Sequence, residues 1–303
     1  MPTRPLTYEL SRRTFLAGTA GVAALALARP ATAADSPPAN KVCAFVKFVQ
    51  TLSYDELAEQ IAEAGFDGIE ATIRDKGQIL PEQAADELPK LVEALKKHNL
   101  EINVMASSVN SVDQPHTESV LQTAASLGIK RYRMEYYRYD LKRPVAEQLV
   151  ELQPIVKDLA AMNRELGITG VYQNHSGAYA VGATIWDLHE LFRDYSTEEF
   201  GIAFDIRHAT VEAGLSWPVL FNVATPYLGA VYVKDFVWEG QKPENVPLGQ
   251  GRVAKGFFTQ LKNVNFTGPI SLHVEYLPKG SVAENLAAMK EDLVTLKSWL
   301  KEA

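Results

Sequence analysis

From Lys41 onward, short apolar or β-branched runs alternate with longer stretches in which apolar residues recur three and four positions apart, and the alternation repeats eight times. The short runs predict strands over Val42–Phe48, Gly68–Thr72, Glu101–Ala106, Arg131–Tyr136, Gly170–Asn174, Gly201–Asp205, Ala230–Lys234 and Ile270–Glu275. Between them the helical spacing is clearest over Tyr54–Ala64, Pro81–His98, Val145–Leu166 and Val282–Leu300. Ser53 and Gly65 bracket the first helix, Pro81 stands where a first helical turn tolerates an imino acid, and Gly167 follows the long fourth helix. Strand and helix in strict alternation predict a parallel sheet covered by helices. A doubly wound open sheet usually carries a glycine-rich phosphate loop after its first strand, but here that strand runs into Val49-Gln50-Thr51-Leu52-Ser53. Eight units without that loop predict an α/β fold of the single (β/α)8 TIM-barrel type, spanning 42–303.

In such barrels the chemistry gathers where the strands end. The predicted strand ends are polar almost without exception: Lys47; Glu70 with Arg74 beyond it; Arg133 and Glu135; Gln173-Asn174-His175; Asp205 with Arg207 and His208; Lys234-Asp235; and Glu275. Each alone reads equally well as a solvated acid, an ordinary ion pair or a helix cap. Their convergence on one rim is what points to a site.

Six segments carry a family likeness: Ala64-Gly65-Phe66-Asp67-Gly68-Ile69-Glu70, Tyr172-Gln173-Asn174-His175-Ser176-Gly177, Phe204-Asp205-Ile206-Arg207-His208, Val231-Tyr232-Val233-Lys234-Asp235, Leu248-Gly249-Gln250-Gly251 and Ser271-Leu272-His273-Val274-Glu275. Together they resemble the sugar phosphate isomerase/epimerase group of xylose isomerase-like TIM barrels, and the likeness covers nearly everything after residue 42. It implies one divalent ion (Mn2+, Co2+, Mg2+ or Zn2+) held by glutamate, aspartate, histidine and glutamate at strands five to eight. Asp205 and Glu275 match that set. Gln173 stands where the family has glutamate, and Tyr232 where it has histidine. Gln173 with a carbonyl oxygen and His175 with a ring nitrogen are the expected replacement ligands beside Asp205 and Glu275.

The resemblance further implies proton abstraction beside a sugar carbonyl. Glu275 is the expected base, with His175 and His208 as candidate second acid or base, since an amide cannot take up a proton at neutral pH and an imidazole can. Lys47, Glu70, Arg74, Lys234, Asp235 and Arg252 are candidate contacts to sugar hydroxyls or an acidic substituent, with Gly249 and Gly251 allowing close backbone approach. The same first step opens elimination, so a lyase or hydratase acting on keto-sugars or keto-glycosides stands beside the isomerase/epimerase reading. A non-catalytic sugar-binding or partner-binding barrel is the third. Trp217 and Trp238 are placed to stack on a sugar ring, whereas Trp186, inside a helical pattern, reads as core.

The ends and the charge narrow the setting. Ser11-Arg12-Arg13-Thr14-Phe15-Leu16, the apolar run to Ala28 and Ala31-Thr32-Ala33 have the order of a twin-arginine export signal over residues 1–33, followed by a linker over 34–41. The apolar run is too short for a membrane anchor, so export to the periplasm or beyond without stable insertion is expected. Of 30 basic and 37 acidic residues, removal of that segment takes four arginines and Glu9, leaving 26 against 36, a net charge of −10. With no basic patch, nucleic acid is not an expected partner. A single cysteine, Cys43, excludes an internal disulfide. Oligomeric state is not written in the chain, although exposed helices of such barrels often pair, and a homodimer is the assembly to look for.

Overall fold

The computed structural model describes residues 40–303. The segment expected to be an export signal, and all of the expected linker but Asn40 and Lys41, lie outside the described residues. Eight parallel strands close into a barrel: β1 (Val42–Phe45), β2 (Gly68–Ile73), β3 (Glu101–Ser107), β4 (Arg131–Arg133), β5 (Thr169–Gln173), β6 (Phe200–Asp205), β7 (Leu228–Val233) and, after an inserted hairpin, β10 (Ile270–Leu272), which pairs with β1 to complete the ring. The hairpin strands, β8 (Asp235–Glu239) and β9 (Lys242–Val246), form a separate antiparallel pair. Helices α1 (Tyr54–Ala64), α2 (Ala84–Lys97), α3 (Thr117–Ser126), α4 (Val145–Leu166), α5 (Trp186–Phe192), α6 (Ile206–Ala213), α7 (Trp217–Ala224), α8 (Gly256–Asn263) and α9 (Val282–Glu302) surround the ring. Among the described residues no helix is long and apolar enough to cross a membrane.

Local chemistry sets these boundaries. Ser53 and Glu56 form a reciprocal capping box at the start of α1, and Ser281 with Glu284 does the same for α9, satisfying amides that the first helical turn leaves free. Gly65 ends α1 in the left-handed region at φ 89°, where a side chain would be strained. Pro81 opens a short 3-10 turn ahead of α2. Several strands are shorter than the sequence predicts. The chain leaves β1 at Phe45 and turns through residues 47–52, and β4 and β10 each keep only three ladder residues, followed by single bonds from the Met134 amide to the Val171 carbonyl and from the His273 amide to the Val233 carbonyl.

Most of the core lies between the sheet and the helices, where Leu57, Ile61, Leu88, Leu91, Leu159, Phe204, Phe257 and Leu293 are buried. Inside the ring a smaller plug of Val104, Val171, Ala203, Ala230 and Tyr232 fills the floor beneath the polar residues. Gly229 is required beside it, because a Cβ there would fall 2.6 Å from the Val171 side chain. Cys43 is fully buried in β1, and burial pushes its thiol far above the ordinary value. Trp186 departs from the core expectation: it opens α5 with 56% of its surface exposed, while Trp217 packs edge-on against Phe257.

Candidate active site

The strand ends do converge. Lys234, just past β7, places Nζ 2.8 Å from Glu275 Oε2 and 3.2 Å from Asp205 Oδ2. Its side chain is only 5% exposed. Burial opposes its charge, but the two carboxylates outweigh that and hold it as an ammonium, above the usual lysine value. Glu275 is affected reciprocally: burial would raise its pKa, but Lys234, His273 and Lys47 together hold it well below the carboxylate range. Lys47 stands at the outer edge, 3.9 Å from Glu275 Oε1.

Gln173, at the end of β5, is oriented by chemistry on both sides. The Arg133 guanidinium, which can only donate, binds its Oε1 at 2.8 Å, and the Tyr136 hydroxyl donates to the same oxygen. Its Nε2 donates to Asp205 Oδ2 at 2.7 Å. Asp205 Oδ1 accepts the His208 amide at 3.0 Å and caps α6, so the aspartate is both part of the cluster and the start of a helix. Asn174 locks the two strand ends together, accepting the Asp205 amide at 2.7 Å and donating to its carbonyl at 3.1 Å.

The two histidines differ. His175 Nδ1 lies 2.9 Å from the Ser176 carbonyl, which can only accept, so Nδ1 carries the proton and Nε2 keeps a free lone pair. Burial and Lys234 lower its pKa, leaving the ring neutral near pH 7. His208 is buried, and its Nδ1 lies 3.1 Å from the donor Arg207 Nη1 and 2.8 Å from Ser176 Oγ. The basic lone pair of His208 is therefore occupied, and Nε2, 3.6 Å from Asp205 Oδ2, carries the hydrogen. Burial and Lys234 together keep it neutral, so its expected role as acid or base is corrected to a ring bond with Ser176 and a backbone amide bonded to Asp205, with Nε2 left without a hydrogen-bond partner among the described residues.

Other expectations are corrected as well. Asp235 does not face the mouth: its carboxylate accepts the backbone amides of Phe236, Gly249, Gly251 and Val253 at 2.8–3.0 Å and ties the base of the hairpin to the following loop. Gly249 and Gly251 approach that carboxylate rather than a ligand, and a Cβ on Gly251 would lie 2.2 Å from Asp235 Oδ1. Glu70 is fully buried on β2, one layer deeper than a rim contact. Its Oε2 accepts Ser271 Oγ at 2.7 Å and lies 2.8 Å from His273 Nε2. Burial opposes its ionisation, but His273 and Arg133 bring its pKa down to about 2. Arg252 is exposed, and only its amide, bonded to Phe236, is tied down. Arg74 is half-buried over the Phe45 ring at 5.9 Å, its pKa lowered by burial and by Arg133.

The divalent-metal expectation fails on the donors. Among the described residues no three His, Cys, Asp or Glu side chains are grouped to hold an ion. Gln173 turns an N–H toward Asp205 and Lys234 lies between Asp205 and Glu275, so of the expected set only His175, through Nε2, keeps a free donor. Tyr232 does not fill that point either: its ring is tilted by 34° against His273, 4.6 Å between centroids, with its hydroxyl buried and unpaired, and burial with Glu70 keeps it a neutral phenol. Sequence reasoning counted Asn174 among the strand ends without giving it a role, and passed over Tyr136 and His273. The last sits two residues before Glu275 in a quoted motif, and its only signal was that spacing.

A family profile described as xylose isomerase-like TIM barrel matches residues 58–299. No curated protein matches the chain by sequence. Among solved structures, a D-tagatose 3-epimerase-like protein superposes with a TM-score of 0.68 at 20% identity, covering 86% of this chain and 98% of that one. The 3-keto-D-glucoside 4-epimerase of E. coli gives 0.62 at 15% identity over 87% and 100%. A 3-DHS dehydratase of petrobactin synthesis from Bacillus anthracis gives 0.63 at 16% over 84% and 98%. At these identities the likeness speaks to the fold.

Proposed function

The chain belongs to the xylose isomerase-like TIM barrel family, and from that premise we propose that it is an isomerase/epimerase-like enzyme that moves a proton on the carbon beside a sugar carbonyl. The single observation that carries this reading is the mouth of the barrel, where an ammonium, a carboxylate and a neutral imidazole with a free lone pair are gathered on Lys234, Glu275 and His175. Strands β10 and β5 are three places apart around the ring, so Glu275 and His175 approach a bound sugar from different sides.

A carbonyl oxygen entering beside Lys234 meets an ammonium N–H, which stabilises negative charge as it develops. The proton on the adjacent carbon passes to Glu275 or His175, the C–H electron pair becomes the enediolate double bond, and the carbonyl pair moves onto oxygen. Glu275 is a weak base while paired with Lys234. Engagement of that ammonium by the substrate oxygen loosens the pair and raises its basicity. Tyr136 and Arg133 hold Gln173 and so fix the wall of the pocket. Return of the proton to the former carbonyl carbon, with the hydroxyl proton passing to the enediolate oxygen so that the new carbonyl forms on its neighbour, is isomerisation, and return to the same carbon on the opposite face is epimerisation.

A lyase or hydratase reading shares the first step and differs in losing a group two carbons away. His175 favours it: with its Nε2 as the base that takes the C–H proton, the Lys234 ammonium can give a proton to a departing oxygen; one structural neighbour is named a dehydratase.

The test is solvent deuterium exchange. Ketohexoses and 3-keto-glucosides incubated with the protein in D2O are expected to gain one deuterium beside the carbonyl, followed by NMR and mass. Glu275→Gln or His175→Ala is expected to slow exchange by about 10²–10⁴-fold. Absence of exchange across the panel would sink the reading. We also propose export through the signal at residues 1–33, checked by fractionating cells that carry Arg12→Lys/Arg13→Lys beside the wild type.

A further inference from the structure

Asp205 and Glu275, the two acids that the family resemblance assigns to a divalent ion, already share a cation. We propose that Lys234 holds the ion's place: with Gln173 and Tyr232 standing where the family has glutamate and histidine, a protein ammonium is the resident charge and no divalent metal lies between these carboxylates.

Three features converge on this. The ammonium lies 2.8 Å from Glu275 and 3.2 Å from Asp205, so a second cation at that point meets a like charge at contact distance. The side chains at the other two positions to which the resemblance assigns ligands are committed elsewhere. Gln173 offers Asp205 an N–H while Arg133 and Tyr136 take its oxygen, and Tyr232 is a buried phenol packed on His273. Finally, each of these inner acids already faces a cation: Glu70 has Arg133 at 3.6 Å, Asp205 has Lys234 at 3.2 Å, and Glu275 has Lys234 at 2.8 Å and Lys47 at 3.9 Å.

The substitution changes what the site offers a ligand. An ion is a Lewis acid that accepts several oxygens, whereas an ammonium has three N–H groups. Two of them face Glu275 and Asp205, and among the described residues the third has no protein partner. Resting here on the proposed function, that third N–H is the donor for a single substrate oxygen. One oxygen is then held where a metal would chelate a carbonyl and its neighbouring hydroxyl together.

The deciding measurement needs no substrate. Purified protein is titrated with Mn2+, Co2+, Mg2+ and Zn2+ by calorimetry, and its metal content is read by elemental analysis after dialysis. The wild type is expected to give no binding heat and no stoichiometric metal. The triple variant Gln173→Glu/Tyr232→His/Lys234→Met, which rebuilds the family's four ligands and removes the ammonium, is expected to gain one equivalent of Mn2+. Stoichiometric metal in the wild type that disappears in Asp205→Asn overturns the inference, and that arm is independent of whether the triple variant folds. It would leave the deuterium-exchange test untouched, so the two proposals fail separately.

Discussion

Gln173 donates from Nε2 to Asp205 Oδ2 across 2.7 Å, and Arg133 at its other end fixes which way the amide faces. Glutamate would fit the same volume but set two carboxylates against each other in a buried position. One of them then keeps a proton at neutral pH. Gln173→Glu alone is expected to lose about 1–3 kcal/mol at pH 7.5. Much of that loss returns at pH 5, where the proton is readily supplied; chemical denaturation at the two pH values checks it.

Lys234→Met removes the charge that Asp205 and Glu275 share. Breaking a buried pair from one side costs about 3–5 kcal/mol. In the wild type these acids have folded pKa values below their unfolded ones, so their stabilisation is present above the unfolded values and is lost as pH falls through the folded ones. In the variant the remaining partners, Lys47 and His273 at Glu275 and the His208 amide and Gln173 at Asp205, oppose burial less, so both folded values rise. The gap in melting temperature between variant and wild type, in which this pair contributes a constant amount above the unfolded values, is therefore expected to narrow as pH drops from 7.5 to 5.

Asp235→Ala leaves four backbone amides without their acceptor at the base of the hairpin. Hydrogen exchange over residues 235–253 is expected to accelerate while the barrel strands stay protected, with about 2–4 kcal/mol lost locally. Uniform loss of protection across the whole barrel would contradict this.

Asp292, on α9, accepts the Leu248 amide at 3.1 Å, and burial pushes its carboxyl up to about 6. A folded pKa above the unfolded one means that stability is greatest with the proton bound and declines as pH rises through about 6. Asn keeps the acceptor without the charge. Asp292→Asn is expected to gain about 1–2 kcal/mol at pH 8 and nothing below pH 4, read from urea midpoints.

The hydroxyl of Tyr232 is buried without a partner, and Tyr232→Phe removes it at no loss of packing. The variant is expected to be as stable as the wild type or up to about 1 kcal/mol more so. Loss of more than that would mean that the phenol is bonded within the barrel.

The barrel was legible because its signals are local: alternation, capping residues and turn glycines each act over a few positions, as Ser53 with Glu56 and Gly65 show. The hairpin was not, because Lys242–Val246 contains Pro243 and Glu244 and pairs as a strand only through β8 beside it. The site was legible as a set of strand ends and illegible as a network. Glu70 and His273 are 203 positions apart, and nothing near either one announces the other. Lys234 read as a substrate contact because sequence gives residue types without distances. Only closure of the ring sets it between two acids from neighbouring strands. His208 failed for a similar reason: its availability as a base depends on which nitrogen Arg207 faces.

The buried thiol of Cys43 has a practical corollary. It is the chain's one sulfhydryl, enclosed in the first barrel strand and held protonated. Reagents that attack thiolates will pass the native protein by, so a cysteine introduced at an exposed position becomes its sole handle for a spin label or fluorophore. Trp238→Cys on the hairpin, paired with a second engineered thiol on α9, would let pulsed dipolar spectroscopy follow that hairpin on an otherwise unaltered background.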